Sequence, residues 1–165
     1  MSHTNDNPIH VLVVGVGDAG AQAVNNMRVG VDGAKFAIIN EDHEGAYLSA
    51  EEDKVRVEDD TSLHEQVDDF DIVFVVANMG EDFGVAYAAR IGFIAKEKGA
   101  LTIGVVTGLD GEAHGITGEH RMVRSVDTLI VIPDQSLDSS ATENPFGQAL
   151  PHVVRTILDL SLIHI

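Results

Sequence analysis

Phe70–Thr107 reads FDIVFVVANMGEDFGVAYAARIGFIAKEKGALTIGVVT. Its first eight residues, Phe70–Ala77, are a continuous apolar run rich in β-branched side chains, which predicts a strand buried on both faces. Asn78–Gly84 predicts a loop. Val85–Lys98 predicts a helix, and Gly99 follows as its stop, since glycine readily takes the left-handed conformation that ends helices. Leu101–Thr107 predicts a second buried strand. A strand, a helix and a strand of this kind make a parallel sheet with helices on both sides, an α/β Rossmann-like three-layer sandwich.

The flanking sequence repeats the pattern. Upstream, Ile9–Val14 (IHVLVV) predicts a strand, Gly15–Gly20 (GVGDAG) a turn, Ala21–Val29 a helix and Phe36–Asn40 (FAIIN) a strand. Then come a short helix over His43–Ala50, a small strand over Val55–Val57 and a short helix over Thr61–Val67 with Thr61 as its cap. Downstream, Gly108–Gly118 predicts a loop, Glu119–Ser125 a short helix, and Thr128–Ile132 (TLIVI) a strand stopped by Pro133. This divides the chain into a disordered 1–8, one domain over 9–134, a linker over 135–145 and a helix over 146–159. In such sheets ligands sit beyond the carboxyl ends of the strands. That singles out Gly15–Gly20, Asn40–Glu44 and Asn78–Gly84.

Composition bounds the function. With 27 acidic and 10 basic side chains the net charge is −17, which argues against binding nucleic acid through phosphate neutralisation. The acids recur along the whole chain and Lys is scarce, so the surface repels itself unless salt screens it. This predicts a salt-adapted cytoplasm of the kind found in halophilic archaea. The chain has no Cys, hence no disulfide and no thiolate site. No apolar run reaches membrane-spanning length, and the first eight residues lack the features of a signal peptide. The eight His show no zinc-site spacing, so no metal ligand is assigned. No nucleophile motif of the G-x-S-x-G type occurs either.

Gly15–Gly20 is a complete G-x-G-x-x-G between a strand and a helix. Such glycines can let a backbone approach a pyrophosphate at a helix N-terminus. They can equally pack a helix on a sheet and bind nothing. Glu41 and Asp42 follow the second strand, where a dinucleotide site places a ribose-binding acid. An NAD(P)-dependent oxidoreductase is therefore one expectation, although no hydride-transfer constellation accompanies it.

Several segments in order, from about Ile9 to Ile132, resemble the FtsZ/tubulin family in its N-terminal GTP-binding domain. Val13–Met27 (VVGVGDAGAQAVNNM) is similar to the family's first phosphate loop, which runs into NAVNRM. Ala37–Leu48 (AIINEDHEGAYL) is similar to its VNTDAQAL segment. Asp71–Thr107 lies ungapped on its strand, signature loop, helix and strand, and Val126–Asp134 (VDTLIVIPD) is similar to VDTLIVIPN. The resemblance implies GTP as ligand and a role in cell division or cell shape; a separate alternative is that the acids Asp18, Glu81 and Asp82 hold Mg²⁺ or another cation that then faces the phosphates. It implies nucleotide contacts at Gly15, Gly17, Gly20, Ala21, Gln22, Asn40, Asp42, Gly80, Phe83 and Gly84. It also implies self-association or an FtsZ-like partner.

The signature loop of the family, GGGTGTG, reads Gly80-Glu81-Asp82-Phe83-Gly84-Val85-Ala86 here. Both threonine donors are gone and two glycines have become acids. In the first loop Asp18, Ala19 and Ala21 stand at glycine positions and Gln22 at an asparagine position. A carboxylate about 5 Å from a phosphate charge costs roughly 3 kcal/mol at an effective dielectric near 20. Asp18, Glu81 and Asp82 together would lower affinity by a few orders of magnitude. GTP binding is thus expected to be weakened or lost, with these acids solvated in their loops. Arg121 stands nearest the family's arginine after the fifth strand, and Pro151 or His152 near its guanine-reading Asp. The family's catalytic acids belong to a loop past the central helix, so no catalytic residue is assigned.

Leu160–Ile165 (LSLIHI) is the in-frame translation of CTGTCTCTTATACACATC, a transposon-derived adapter string. This predicts a non-native end to a truncated chain. A third functional class, a non-catalytic interaction module, stays open beside the GTP-binding and dinucleotide readings.

Overall fold

Six consecutive buried residues, Val11–Val16, form the first strand, β1, of a computed structural model that describes residues 9–28, 33–50, 53–108, 113–132, 152 and 156, with the backbone alone for 113–117. The expectations for 1–8, 135–145 and 160–165 lie outside the described residues. Of the helix expected over 146–159, only His152 and Thr156 are described. Both are helical, and the Thr156 hydroxyl donates to the His152 carbonyl.

The elements follow in the order α1 (Gly17–Met27), β2 (Ala34–Asp42), β3 (Gly45–Ala50), β4 (Asp53–Arg56), α2 (Thr61–Val67), β5 (Ile72–Asn78), α3 (Asp82–Glu97), β6 (Leu101–Thr107), α4 (Ala113–Ser125) and β7 (Thr128–Val131). They build one seven-stranded sheet in the order β4-β3-β2-β1-β5-β6-β7. The β2–β1–β5–β6–β7 pairs are parallel, and β3 and β4 are added antiparallel at one edge.

Period-two alternation sorts the strand residues between two cores. Val11, Val13, Phe74 and Val76 pack with Ala23, Val24 and Met27 of α1 on one face. Leu12, Val14, Val73 and Val75 pack with residues of α2, α3 and α4 on the other. With both faces covered, the central strands must be apolar throughout. This is the expected α/β sandwich with its mostly parallel sheet.

Four local expectations are corrected. The helix expected over His43–Ala50 is strand β3, paired with β2 in register Asp42↔Gly45 across a two-residue turn. The Glu44 N–H donates to the Asp42 carboxylate at 2.9 Å, closing that turn, and Leu48 alone is fully turned to the core, as strand alternation requires. Helix α1 starts at Gly17 rather than Ala21, because Gly17 turns the chain in one residue at φ +76°. Helix α4 starts at Ala113 rather than Glu119. Its Gly118 reads as a loop residue but is a contact residue, since a Cβ there would lie 2.6 Å from Met79 Sδ. Thr61 is the first residue of α2 and not its cap; its N–H donates to the Asp59 carboxylate, which lowers the Asp59 pKa.

Candidate functional site

Strand β1 runs through α1 to β2 on one side and neighbours β5 on the other. The carboxyl ends of β1 and β5 are therefore the topological switch point, where α/β sheets bind ligands. The N-terminus of α1 and the short β5–α3 connection, Met79–Glu81, meet there.

Two glycines of the first loop serve packing. A Cβ on Gly15 would fall on the Gly20 carbonyl, and one on Gly20 would lie 2.5 Å from the Val76 carbonyl oxygen. Gly15 and Gly20 thus let α1 cross β1 and β5 at backbone contact. Ala21 packs partly buried against the same core, and Gln22 is exposed.

Helix α1 has no cap of its own. Val16 stands at its N-cap without a side-chain bond, and valine carries no acceptor to offer the free N–H groups of the first turn. Glu81 supplies the acceptor from across the switch point. Its Oε2 accepts the Asp18 N–H and its Oε1 the Ala19 N–H, both at 3.2 Å. A Cβ on Gly17 would lie 2.8 Å from Glu81 Oε2, so the glycine opens the space that the carboxylate fills. Glu81 is half-buried and bonded, which corrects the expectation that it is a solvated loop acid.

The β5–α3 connection is held stiffly behind it. The Asn78 side-chain oxygen accepts the Gly80 N–H at 2.8 Å, its carbonyl accepts the Glu81 N–H, and the Met79 N–H donates to the Thr107 carbonyl. Gly84 lies against Asn78, where a Cβ would come 2.5 Å from the carbonyl oxygen. The backbone of Glu81 starts α3, since its carbonyl accepts the Val85 N–H. One residue therefore begins α3 with its backbone and caps α1 with its carboxylate. Asp82 in the first turn of α3 suits the positive end of that helix.

The other sequence-singled residues divide between this place and elsewhere. Asn40 joins it, donating its amide to the Asp18 carboxylate at 2.9 Å. Phe83 stacks on Tyr87 with ring centroids 4.5 Å apart. Asp42 belongs to a separate ionic cluster on the β2–β3–β4 edge. Arg56 grips both its oxygens, at 2.7 and 2.9 Å, and Lys54 reaches it at 3.1 Å. These contacts, Arg56 first and then the Glu44 N–H, hold the Asp42 carboxyl well below the usual carboxylate range and raise the Arg56 pKa in return.

Among the described residues no three His, Asp or Glu converge as a metal site, and no helix is long and apolar enough to cross a membrane. A cavity of about 590 Å³ lined by Lys35, Asp68 and Asp69 lies at the amino ends of the strands, away from the switch point. Chemically, the α1 N-terminus is a place for an anion, and the anion seated on it is the chain's own carboxylate. Sequence spacing gave no sign of that contact. The signal that could have found it is the pairing of an uncapped helix start with an acid newly placed in the facing loop.

No family model matches the chain. It is similar to the cell division protein FtsZ of Rickettsia bellii, 34% identical over 167 aligned positions that cover 81% of this chain and 36% of that protein. It is 32% identical to the cell division protein FtsZ of Caulobacter vibrioides over 194 positions, covering 93% of this chain and 37% of that one. Among solved structures it is similar to the empty FtsZ dimer of M. jannaschii, with TM-score 0.76 and 22% identity over 94% of this chain and 56% of that one. It also resembles TubZ of Bacillus thuringiensis serovar israelensis in its GDP-form protofilaments, with TM-score 0.57 and 12% identity over 94% of this chain and 53% of that one. At these identities the solved structures establish the fold alone. The chain spans about a third of the length of the curated relatives it matches.

Proposed function

Because the chain belongs to the FtsZ/tubulin family, we propose that it is the nucleotide-domain portion of a cell-division or cytoskeletal protein whose hold on GTP is weakened or lost. One observation carries this: the family's switch point is built, but Asp18, Glu81 and Asp82 stand in its two loops and the Glu81 carboxylate is seated on the N–H groups that would face a phosphate. As they stand, these residues do not fit a nucleotide's phosphates. A phosphate brought beside them meets like charges that cost several kcal/mol together, or roughly a hundred- to thousand-fold in affinity. A divalent ion would soften the repulsion only by taking most of its ligands from the nucleotide and water.

A protein of this kind acts through contacts rather than turnover, as a scaffold or regulatory relative. Self-association of the sort named for the FtsZ dimer and the TubZ protofilaments belongs to the same proposal. The net charge of −17 supports a salt-rich cytoplasm as its medium. The test is a triple variant, Glu81→Gly, Asp82→Gly and Phe83→Thr, titrated with GTP and with NAD in molar KCl and Mg²⁺. A gain of at least about tenfold for GTP, with none for NAD, supports the proposal, tenfold being about 1.4 kcal/mol. An unchanged GTP affinity, or a gain for NAD instead, contradicts it.

A further inference from the structure

We propose that Glu81 is a tethered anion that keeps the N-terminus of α1 closed, so that a free phosphate group gains this place only when the carboxylate leaves it. The inference rests on the assignment of the switch point as the family's phosphate end, and it concerns one contact within that place.

Three observations meet on Glu81. Helix α1 begins on Val16, which brings no acceptor, and the carboxylate of its own Asp18 is engaged by Asn40 rather than by the helix. The two oxygens of Glu81 divide between two successive N–H groups of that first turn, Asp18 and Ala19. This is how an anion sits on a helix N-terminus, where the free N–H groups and the helix dipole both favour negative charge. Finally, Glu81 leaves its own helix without a side-chain cap, although it stands at the N-cap of α3 and could have turned there. The carboxylate caps a helix 62 residues earlier in the chain instead.

The physical consequence is a site that carries its own counter-charge. A carboxylate fixed to the protein is present at high effective concentration, because the stiff Asn78–Glu81 turn and the start of α3 hold it close. An external phosphate must displace it and then remain beside it, a like charge. The same contact gives α1 the cap its sequence lacks, so the domain keeps the end of this helix satisfied with no nucleotide present.

The experiment uses the full chain, with Glu81→Ala and the conservative Glu81→Gln, and with Glu58→Gln as an exposed acid outside the site. Thermal unfolding is followed in rising orthophosphate against KCl of equal ionic strength. Asp18 and Ala19 amide resonances are followed in the same titration. Glu81→Ala is expected to melt about 2–4 °C below the wild type, the shift for a contact of this size in a chain of this length, while Glu58→Gln is unchanged. Orthophosphate is expected to raise the melting temperature of Glu81→Ala and to move its Asp18 and Ala19 amides, and to do neither in the wild type. Glu81→Gln, which keeps the shape and an acceptor, gives the intermediate result and serves if the alanine variant folds poorly. An unchanged melting temperature in both variants overturns the proposal. So does equal phosphate response in wild type and variants, or no selective response in either variant. None of these readouts involves guanine, so a failure here is separable from a failure of the triple variant to gain GTP.

Discussion

Asn40 donates its side-chain amide to the carboxylate of Asp18 at 2.9 Å, tying the carboxyl end of β2 to the first turn of α1. The other end of that amide accepts the Glu41 N–H, so both ends of the side chain are engaged within the protein. Replacing Asn40 with Ala is expected to cost about 1 kcal/mol in urea unfolding, the usual net worth of a lost hydrogen bond. Asn40→Asp sets a second carboxylate against Asp18. Its penalty is expected to exceed that of Asn40→Ala at low salt and to shrink toward it in molar KCl. A penalty for Asn40→Asp that ignores salt would mean the two side chains do not face each other.

Gly20→Ala tests the packing role of the first loop. The added methyl would lie 2.5 Å from the Val76 carbonyl oxygen, which is backbone and cannot rotate away. Overpacking of this kind costs about 1–3 kcal/mol. The loss is expected in ligand-free protein by denaturant unfolding; a glycine kept only for ligand approach would show no such loss.

Asp42 and Arg56 give a pH signature. The Asp42 carboxyl is held well below its usual range by Arg56, then by the Glu44 N–H, with Lys54 adding to it. A depressed folded pKa stabilises the protein fully above the unfolded value, near 3.9, and that stabilisation is lost as pH falls through the folded value. The difference in stability between wild type and Asp42→Asn is therefore expected to be constant at neutral pH and to narrow only below about pH 4. Arg56→Lys is expected to lose part of it at neutral pH, because an ammonium cannot grip both oxygens. A difference that vanishes above pH 5 would contradict the assignment.

Added KCl is expected to raise the melting temperature steadily, since the net charge of −17 sets the surface against itself and the Debye length shortens from about 10 Å at 0.1 M to about 3 Å at 1 M. A melting temperature that is flat or falls with KCl would show that the acids do not repel one another appreciably in the folded state.

The parts of this architecture that depend on local pattern were legible. Ile72–Asn78 and Leu101–Thr107 announce themselves as central parallel strands because burial on both faces demands unbroken apolar runs. Strand β3 was hidden because GAYLSA has one residue, Leu48, turned fully to the core, too few to separate a period of two from one of 3.6. Gly115 and Gly118 read as loop residues at the start of α4, although Gly118 serves a close contact with Met79 and not a turn. At the site, topology points to Gly15–Gly20, Asn40 and Asn78–Gly84, which meet at the switch point, but it does not give the sign of Glu81's role. Coulomb repulsion toward a phosphate follows from the acids that stand in the loops resembling the family's phosphate loops, whereas attraction to the bare N–H groups of α1 needed the two loops side by side. Asp42 is grouped with the site by its place at the carboxyl end of the second strand, and its engagement by Arg56 depends on a strand pairing that sequence does not predict.

The affinity of the wild-type chain for GTP, measured by equilibrium titration in molar KCl without any divalent ion, weighs the whole account. Binding weaker than about 1 mM, that is, less than about 4 kcal/mol, is the result expected of a phosphate end crowded by Asp18, Glu81 and Asp82. A dissociation constant in the micromolar range would contradict it, because three carboxylates, with that of Glu81 seated on the α1 N–H groups, leave no way to hold a triphosphate that tightly.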